Sequence, residues 1–320
     1  MQNNIWVTLP RPFFVLAPME DVTDTVYRQI VARCGRPNLF FTEFTNVDGI
    51  LSIATEKVSQ RLRFLPIEKP LIAQIWGNNP ESFRKVAQLL SQKNFDGIDI
   101  NMGCPDSGVV KKKAGGGLIK DPVLAAEIII ATKEGAGELP VSVKTRIGYN
   151  KIITEEWVTH LLSQKIDALT VHGRTVSEGS KVPAHWDEIG KAVVIRDSLQ
   201  LQTKIIGNGD VMSYQQGLDL AKQYHLDGIM VGRGIFANPW FFNPTIDITQ
   251  VSLQERCDML VTHMNLFLDV WKGSKNFDIL KKFFKAYLRD FEGANELRTE
   301  LMMKKTPEEI QEAIQKYLHK

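Results

Sequence analysis

The sequence predicts an α/β fold, a TIM (β/α)₈ barrel followed by a small all-helical C-terminal region, and three observations predict it. Short apolar, β-branched runs recur eight times, helix-start signals stand between many of them, and uncommon polar residues and glycines collect where the runs end. Most runs are nearly continuous in apolar character rather than strictly alternating. Strands buried on both faces read that way, and such strands belong to parallel sheets. A doubly wound open sheet would need a glycine fingerprint after the first strand, and that turn reads PMEDVTD.

Taken in order, the predicted strands are Phe13–Met19, Leu39–Phe44, Pro70–Gly77, Phe95–Asn101, Pro140–Arg146, Ile166–Gly173, Thr203–Asp210 and Leu226–Gly234. Between them, Asn79-Pro80 and Asp121-Pro122 each set a capping side chain before a proline at the first helical position. Ser213 with Gln216 has capping-box spacing. After Pro244 the strand-like runs stop. Ser252 with Glu255 opens one helix, a second is expected from about Asn276 to Phe291, and Thr306-Pro307-Glu308-Glu309 opens a third. The expected domains are a barrel over 1–245 and a helical domain over 250–320.

Composition narrows the function classes. A chain of 320 residues, 43% apolar and 24% charged, reads as an ordinary globular protein. No apolar run reaches the ~18 residues of a membrane span, and the first residues lack a basic stretch followed by an apolar one. Cys34, Cys104 and Cys257 stand far apart with no CxxC pair, which argues against a zinc or iron–sulfur site and fits a reducing cytoplasm. A net charge of +2 permits a nucleic-acid partner without arguing for one.

A barrel carries its chemistry at the carboxyl ends of its strands. Gln74 stands near the end of the third strand, and the fourth ends Asn101-Met102-Gly103-Cys104-Pro105. The fifth carries Lys144 and Arg146, and the sixth ends His172-Gly173-Arg174-Thr175. The seventh ends Gly207-Asn208-Gly209-Asp210, and the eighth Gly232-Arg233-Gly234. Glycines at the last two ends let backbone N–H groups approach a phosphate, with Arg233 as a bidentate partner, though they also serve as plain turn glycines. Lys144 inside an apolar strand is costly unless it meets an anion or polar ligand, or snorkels to the rim. His172 is the one histidine of six at a strand's carboxyl end beside glycine and arginine, whereas the others read as structural. Cys104 sits at a strand-to-loop turn before a proline. A thiol stays mostly protonated at neutral pH and can donate a proton, and nearby Asp106 disfavours the thiolate. Cys34 and Cys257 read as small buried hydrophobes. Lys281, Lys285 and Arg289 fall at i, i+4 and i+8, a basic stripe if the segment is helical, and Lys111-Lys112-Lys113 follow the cysteine loop.

Together Ala17-Pro18-Met19-Glu20, Asn101-Met102-Gly103-Cys104-Pro105, Val141-Ser142-Val143-Lys144-Thr145-Arg146, Val171-His172-Gly173-Arg174-Thr175, Gly207-Asn208-Gly209-Asp210 and Gly232-Arg233-Gly234 resemble the tRNA-dihydrouridine synthases, in the family's order. The resemblance implies an enzyme in which FMN lies across the barrel mouth, reduced by NADPH or NADH; apart from it, no obligate protein partner is evident in the sequence and a monomer is expected. Reduced flavin passes a hydride from N5 to C6 of a tRNA uridine, and Cys104 protonates C5 from the opposite side. On the same resemblance Ala17, Pro18 and Met19 line the flavin ring, while Gln74, Lys144 and His172 bond its polar edges. Asn208, Gly209, Asp210, Gly232 and Arg233 hold its phosphate end. Asn101 and Arg174 face the uridine, and Lys281, Lys285 and Arg289 grip the RNA. A lysine at the ring's N1–C2 edge would stabilise the charge gathered there on reduction.

Two departures from the family pattern stand out. Asp21 occupies a position usually held by glycine, and Val176–Lys181 replaces a tyrosine-bearing continuation in a loop that faces RNA in relatives. Two other readings stay open on the residues alone: an FMN barrel reductase acting on a small molecule, and a tRNA-binding factor that has lost catalysis.

Overall fold

The computed structural model describes residues 4–53 and 55–319. Nine strands, all paired in parallel, form one sheet. They are β1 (Phe13–Leu16), β2 (Phe40–Phe41), β3 (Thr45–Asn46), β4 (Leu71–Trp76), β5 (Gly97–Met102), β6 (Val141–Arg146), β7 (Ala168–His172), β8 (Lys204–Asn208) and β9 (Gly228–Val231). Each predicted run supplies a strand. The order β1-β9-β8-β7-β6-β5-β4-β2 closes on itself, because Val15 of β1 bridges Leu39, the residue before β2. Leu16 N–H donates to the Leu39 carbonyl at 3.2 Å across that seam.

Of the predicted second strand, Leu39–Phe44, only Phe40–Phe41 is strand (β2); β3 begins just past its expected end, and both pair with β4. The cause is local. The Thr42 hydroxyl, in place of a backbone carbonyl, accepts the Gln74 N–H at 3.0 Å, so the ladder is interrupted for a step.

The floor of the barrel is apolar. Phe13, Val15, Phe41, Ile72, Ala168, Ile206 and Met230 form one buried cluster with Trp6. Trp6 lies on a short helix, Ile5–Thr8, and its ring sits 6.0 Å from Phe13 and 6.5 Å from Phe41. Asn4, capping that helix, donates to Asp167 at 2.6 Å just before β7. The amino-terminal end of the barrel is thereby stopped by an indole. A four-residue helix carries no periodicity to read, so nothing in the sequence pattern foretold it.

The helices begin where their caps predict. Asn79, Asp121 and Ser213 each accept backbone N–H bonds at the starts of Pro80–Ser91, Pro122–Ala136 and Tyr214–Gln223. The first two pack closely, and a Cβ added at Gly135 would lie 2.0 Å from the Arg84 carbonyl oxygen.

By its contacts the chain divides into two compact units. One, holding the barrel, runs to Thr25 and resumes over Pro37–Gly232; the other is Val26–Arg36 with the chain from Arg233 onward. Arg233 opens a 3₁₀ turn, Arg233–Phe236, in the second unit. Leu253–Trp271 and Pro307–Leu318 have complete capping boxes, Ser252 with Glu255 and Thr306 with Glu309. Ala294–Met303 lies between them, and His263 is buried with its Nδ1 2.9 Å from the Tyr287 hydroxyl. The expected helix over Asn276–Phe291 is corrected: Phe277–Phe283 is 3₁₀, followed by only a short α-turn, Phe284–Tyr287. At three residues per turn, i and i+4 no longer share a face. The three-residue stripe is therefore broken: Lys281 and Lys285 still line one cavity, and Arg289 drops out of it. Arg289 lies beyond the helical turns and pairs with Asp290 at 2.6 Å, while Lys281 pairs with Asp278 at 2.7 Å. No helix among the described residues is long and apolar enough to cross a membrane.

Gly135→Ala should cost about 1–3 kcal/mol of stability, since the added methyl meets the Arg84 backbone and the Ala87 Cβ, neither of which can swing aside. Urea denaturation checks this; an unchanged midpoint would show that the two helices part without strain.

Candidate active site

Side chains alternate across a strand, so knowing one inward residue fixes the next two. Val15, Ile72, Ala168, Ile206 and Met230 point into the core cluster. Two residues on, by this alternation, are Ala17, Gln74, Thr170, Asn208 and Gly232, and a further step reaches Met19, Trp76 and His172. Asp99 and Ser142 are tied to Gln74 inside the barrel, which puts Asn101 and Lys144 on the same face. Register aligns them, with Asn101 opposite Lys144 and His172 opposite Asn208.

The middle rung is polar and self-satisfied. Ser142 Oγ donates to Asp99 at 2.6 Å, Gln74 Nε2 donates to the other Asp99 oxygen at 2.7 Å, and Asn101 Nδ2 donates to Gln74 Oε1 at 3.1 Å. Burial pushes the Asp99 carboxyl up to about 6, against the bonds from Ser142 and Gln74 and the Lys144 charge. Burial likewise pulls the Lys144 ammonium down to about 8, with Arg146 adding and Asp99 opposing. Among the described residues no protein acceptor bonds the Lys144 ammonium. Sequence reasoning missed Asp99. The signal was there: an acid inside the apolar run GIDIN carries the same cost that singled out Lys144.

Asn101 shapes the cysteine turn. Its Oδ1 accepts the Gly103 and Cys104 N–H groups at 3.1 and 2.9 Å, and its amide meets Gln74, so the structure gives it a positioning part. The Cys104 carbonyl accepts the Gly116 N–H at 2.9 Å. Burial raises the Cys104 thiol above its ordinary value; the Asp106 backbone N–H works against this, whereas the Asp106 carboxylate adds to it. Cys34 and Cys257 are buried, their thiols pushed up to about 12 and about 11 by burial.

Two arginines brace the mouth. Arg146 donates to the Gly103 carbonyl at 2.8 Å and to the Thr175 and Gly179 carbonyls at 3.0 Å. It thus ties the cysteine turn to the departing loop Val176–Lys181. Arg174, expected at the substrate surface, is instead 2% exposed. It reaches the Asp210 carboxylate and the Val182 carbonyl, and its NH1 lies 3.2 Å from His172 Nε2. A guanidinium only donates, so His172 Nε2 accepts and its hydrogen sits on Nδ1. Asp210, at φ 52°, is held to Arg174 and the Ala184 N–H. Gly209 (φ 140°) is required by packing, because a Cβ there would lie 2.6 Å from Ala184 Cβ. Gly232 differs: a Cβ would meet only Ala17 Cβ and Met19 Sδ, both at 3.8 Å, so the backbone there lies open beside β1. Asp21 occupies the left-handed region at φ 55° with its N–H on Glu43 at 2.6 Å. That conformation explains glycine as the usual choice and why an aspartate can replace it.

Fold and mouth together define a parallel (β/α)₈ barrel with its polar groups gathered at the carboxyl ends of the strands. The same fold occurs in morphinone reductase (13% identity, TM-score 0.51, 74% of this chain and 86% of that one). It occurs also in histamine dehydrogenase from Rhizobium sp. 4-9 (14% identity, TM-score 0.53, 79% of this chain and 48% of that one). A family model described as "Dihydrouridine synthase (Dus)" matches residues 15–320. The "Probable tRNA-dihydrouridine synthase 2" of Bacillus subtilis (strain 168) is 47% identical over 313 residues, 97% of this chain and 95% of that protein. The "Probable tRNA-dihydrouridine synthase" of Staphylococcus aureus (strain MRSA252) is 47% identical over 305 residues, 94% of this chain and 92% of that protein. The chain belongs to the dihydrouridine synthase family.

Asp99 makes stability depend on pH. Its folded value of about 6 lies above the ordinary 3.8, so between those values the folded state holds more protons than the unfolded. Its contribution is complete below pH ~4 and is lost as pH rises through ~6. Relative to Asp99→Asn, the parent should therefore lose stability across that window and differ by a constant amount above it. Urea titrations at a series of pH values test this, and a flat difference would mean that Asp99 ionises as an ordinary carboxylate.

Proposed function

We propose that this protein reduces the C5–C6 bond of a uridine in tRNA to 5,6-dihydrouridine, as a monomeric cytoplasmic enzyme with FMN at the barrel mouth and NADPH or NADH as reductant. The observation that carries the reading is a thiol kept protonated by burial, Cys104, at the same mouth as a half-buried ammonium that no protein acceptor bonds, Lys144. The residues present fit the flavin: no protein acceptor among the described residues bonds the Lys144 ammonium, and the open backbone at Gly232 lies beside Ala17 and Met19. Bound there, FMN supplies the hydride for uracil C6.

The chain's own groups do the rest. Ala17, Pro18 and Met19 present a flat apolar wall to the ring. The Lys144 ammonium offsets the negative charge at the ring's N1–C2 edge. Gln74 keeps one amide hydrogen for the ring after serving Asp99. His172, its tautomer set by Arg174, is oriented as a further partner. Backbone groups at Asn208, Gly209, Asp210 and Gly232 take the phosphate end. Cys104 delivers its proton to C5, and Asn101 holds the turn that aims it. In the helical unit, Lys281, Lys285 and Arg298 line a cavity of about 380 Å³ and supply positive charge for RNA phosphates.

Cys104→Ala should keep FMN and its reduction by NADPH at near-parent rate, because that half-reaction does not use the thiol. Reoxidation by tRNA lacking dihydrouridine should slow by roughly 10²–10⁴. Stopped-flow absorbance reads both halves; reoxidation at the parent rate would remove Cys104 from proton transfer.

Lys281→Glu with Lys285→Glu should weaken tRNA binding and lower its salt slope by about one unit for each phosphate no longer neutralised. Flavin reduction should be untouched. Equal affinity and equal slope in filter binding would leave the pair as a solvated surface.

A further inference from the structure

Beside the cysteine turn the barrel unit holds a second cavity, of about 500 Å³, that the proposed chemistry does not use. Its walls come from the ends of β1, β3, β4 and the loop after β5, and Glu20, Phe44, Arg61, Trp76 and Lys112 supply its chemistry. The Phe44 and Trp76 rings stand edge to face, 6.5 Å apart at 73°. Lys112 Nζ lies 5.9 Å from the Trp76 ring centre. Glu20 spends one carboxylate oxygen on Arg61, whose Nε is 2.8 Å away; the other, Oε2, is buried without a hydrogen-bond partner among the described residues. A buried carboxylate oxygen left so is costly, and a ligand N–H is what would satisfy it.

We infer that this cavity is a subsite for a second unpaired RNA base, adjacent in the strand to the target uridine, stacked on Trp76 with an exocyclic amino group donating to Glu20 Oε2. The inference rests on the proposed tRNA reduction. Several observations converge on a base. Trp76 is two residues beyond Gln74, and the cavity wall includes Asp106, two residues beyond Cys104, so the subsite borders the place assigned to the uridine. Extruding one base from a folded RNA leaves its neighbour unstacked and in need of a surface. An aromatic face with a cation near it is the usual platform for such a base and its phosphate. One free acceptor selects chemistry further. Guanine, adenine and cytosine carry an amino group, whereas uracil offers only carbonyls on either side of its one ring N–H.

The test uses the whole holoenzyme and two readouts. The first is affinity for fluorescent single-stranded RNAs in which the bases on both sides of a uridine are A, G or C, or are all U. The parent should bind the amino-bearing set at least several-fold more tightly. Trp76→Ala should lose about tenfold for that set, Trp76→Phe should recover most of it, and Glu20→Gln should erase the preference. The second is dihydrouridine formation in tRNA, where Trp76→Ala should raise KM about tenfold with kcat and flavin reduction by NADPH near the parent. Unchanged affinity and KM in Trp76→Ala would overturn the subsite, as would a raised KM for NADPH alone, which would give the cavity to the nicotinamide cofactor. A parent that binds with the stated preference yet forms no dihydrouridine would sink the proposed reaction and leave the subsite standing.

Discussion

A closed parallel barrel has no edge to pair and only its two ends to wet, and every inward side chain must therefore be apolar, satisfied or at an end. The period of two along each strand enforces this rung by rung. The lowest rungs here are phenylalanine, isoleucine and valine. The middle one is polar and bonded together through Ser142, Asp99 and Gln74, with Asn101 donating to Gln74 from the next rung. Above it come Lys144 and His172. The gradient from dry to wet sorts the residues by chemistry without any loop having to do so.

That gradient explains what could be read in advance. Nearly continuous apolar runs marked the strands, and a charged residue inside such a run marked Lys144. Counting in twos from any core residue then brings Ala17, Gln74, Lys144, His172, Asn208 and Gly232 to one surface. The failures share a cause as well. Arg174 is set beside the uridine by resemblance alone, and its burial against Asp210, 36 positions away, is long-range and has no local signal. The helix bearing Trp6 owes its existence to a ring of strands that its own four residues do not announce. In the tail, a helical start near Asn276 was legible, whereas the 3₁₀ pitch of Phe277–Phe283 was not.

The two mouth arginines show why charge inside a barrel need not mean contact with a ligand. Each spreads its donors over acceptors that the chain brings from distant loops, a task the forked guanidinium performs and a lysine cannot. Arg146 links the cysteine turn to the unusual loop after Thr175 through hydrogen bonds to both. Variation in that loop is consequently felt at Cys104, with no direct contact between them needed.

The indole stopper at the barrel's foot has a kinetic meaning. With Trp6 and the apolar rungs filling the foot of the barrel, its polar groups are reached from the mouth at the carboxyl ends of the strands. In the proposed reaction both an electron donor and an RNA come to that one mouth, so where their places there overlap, each competes with the other when present in excess.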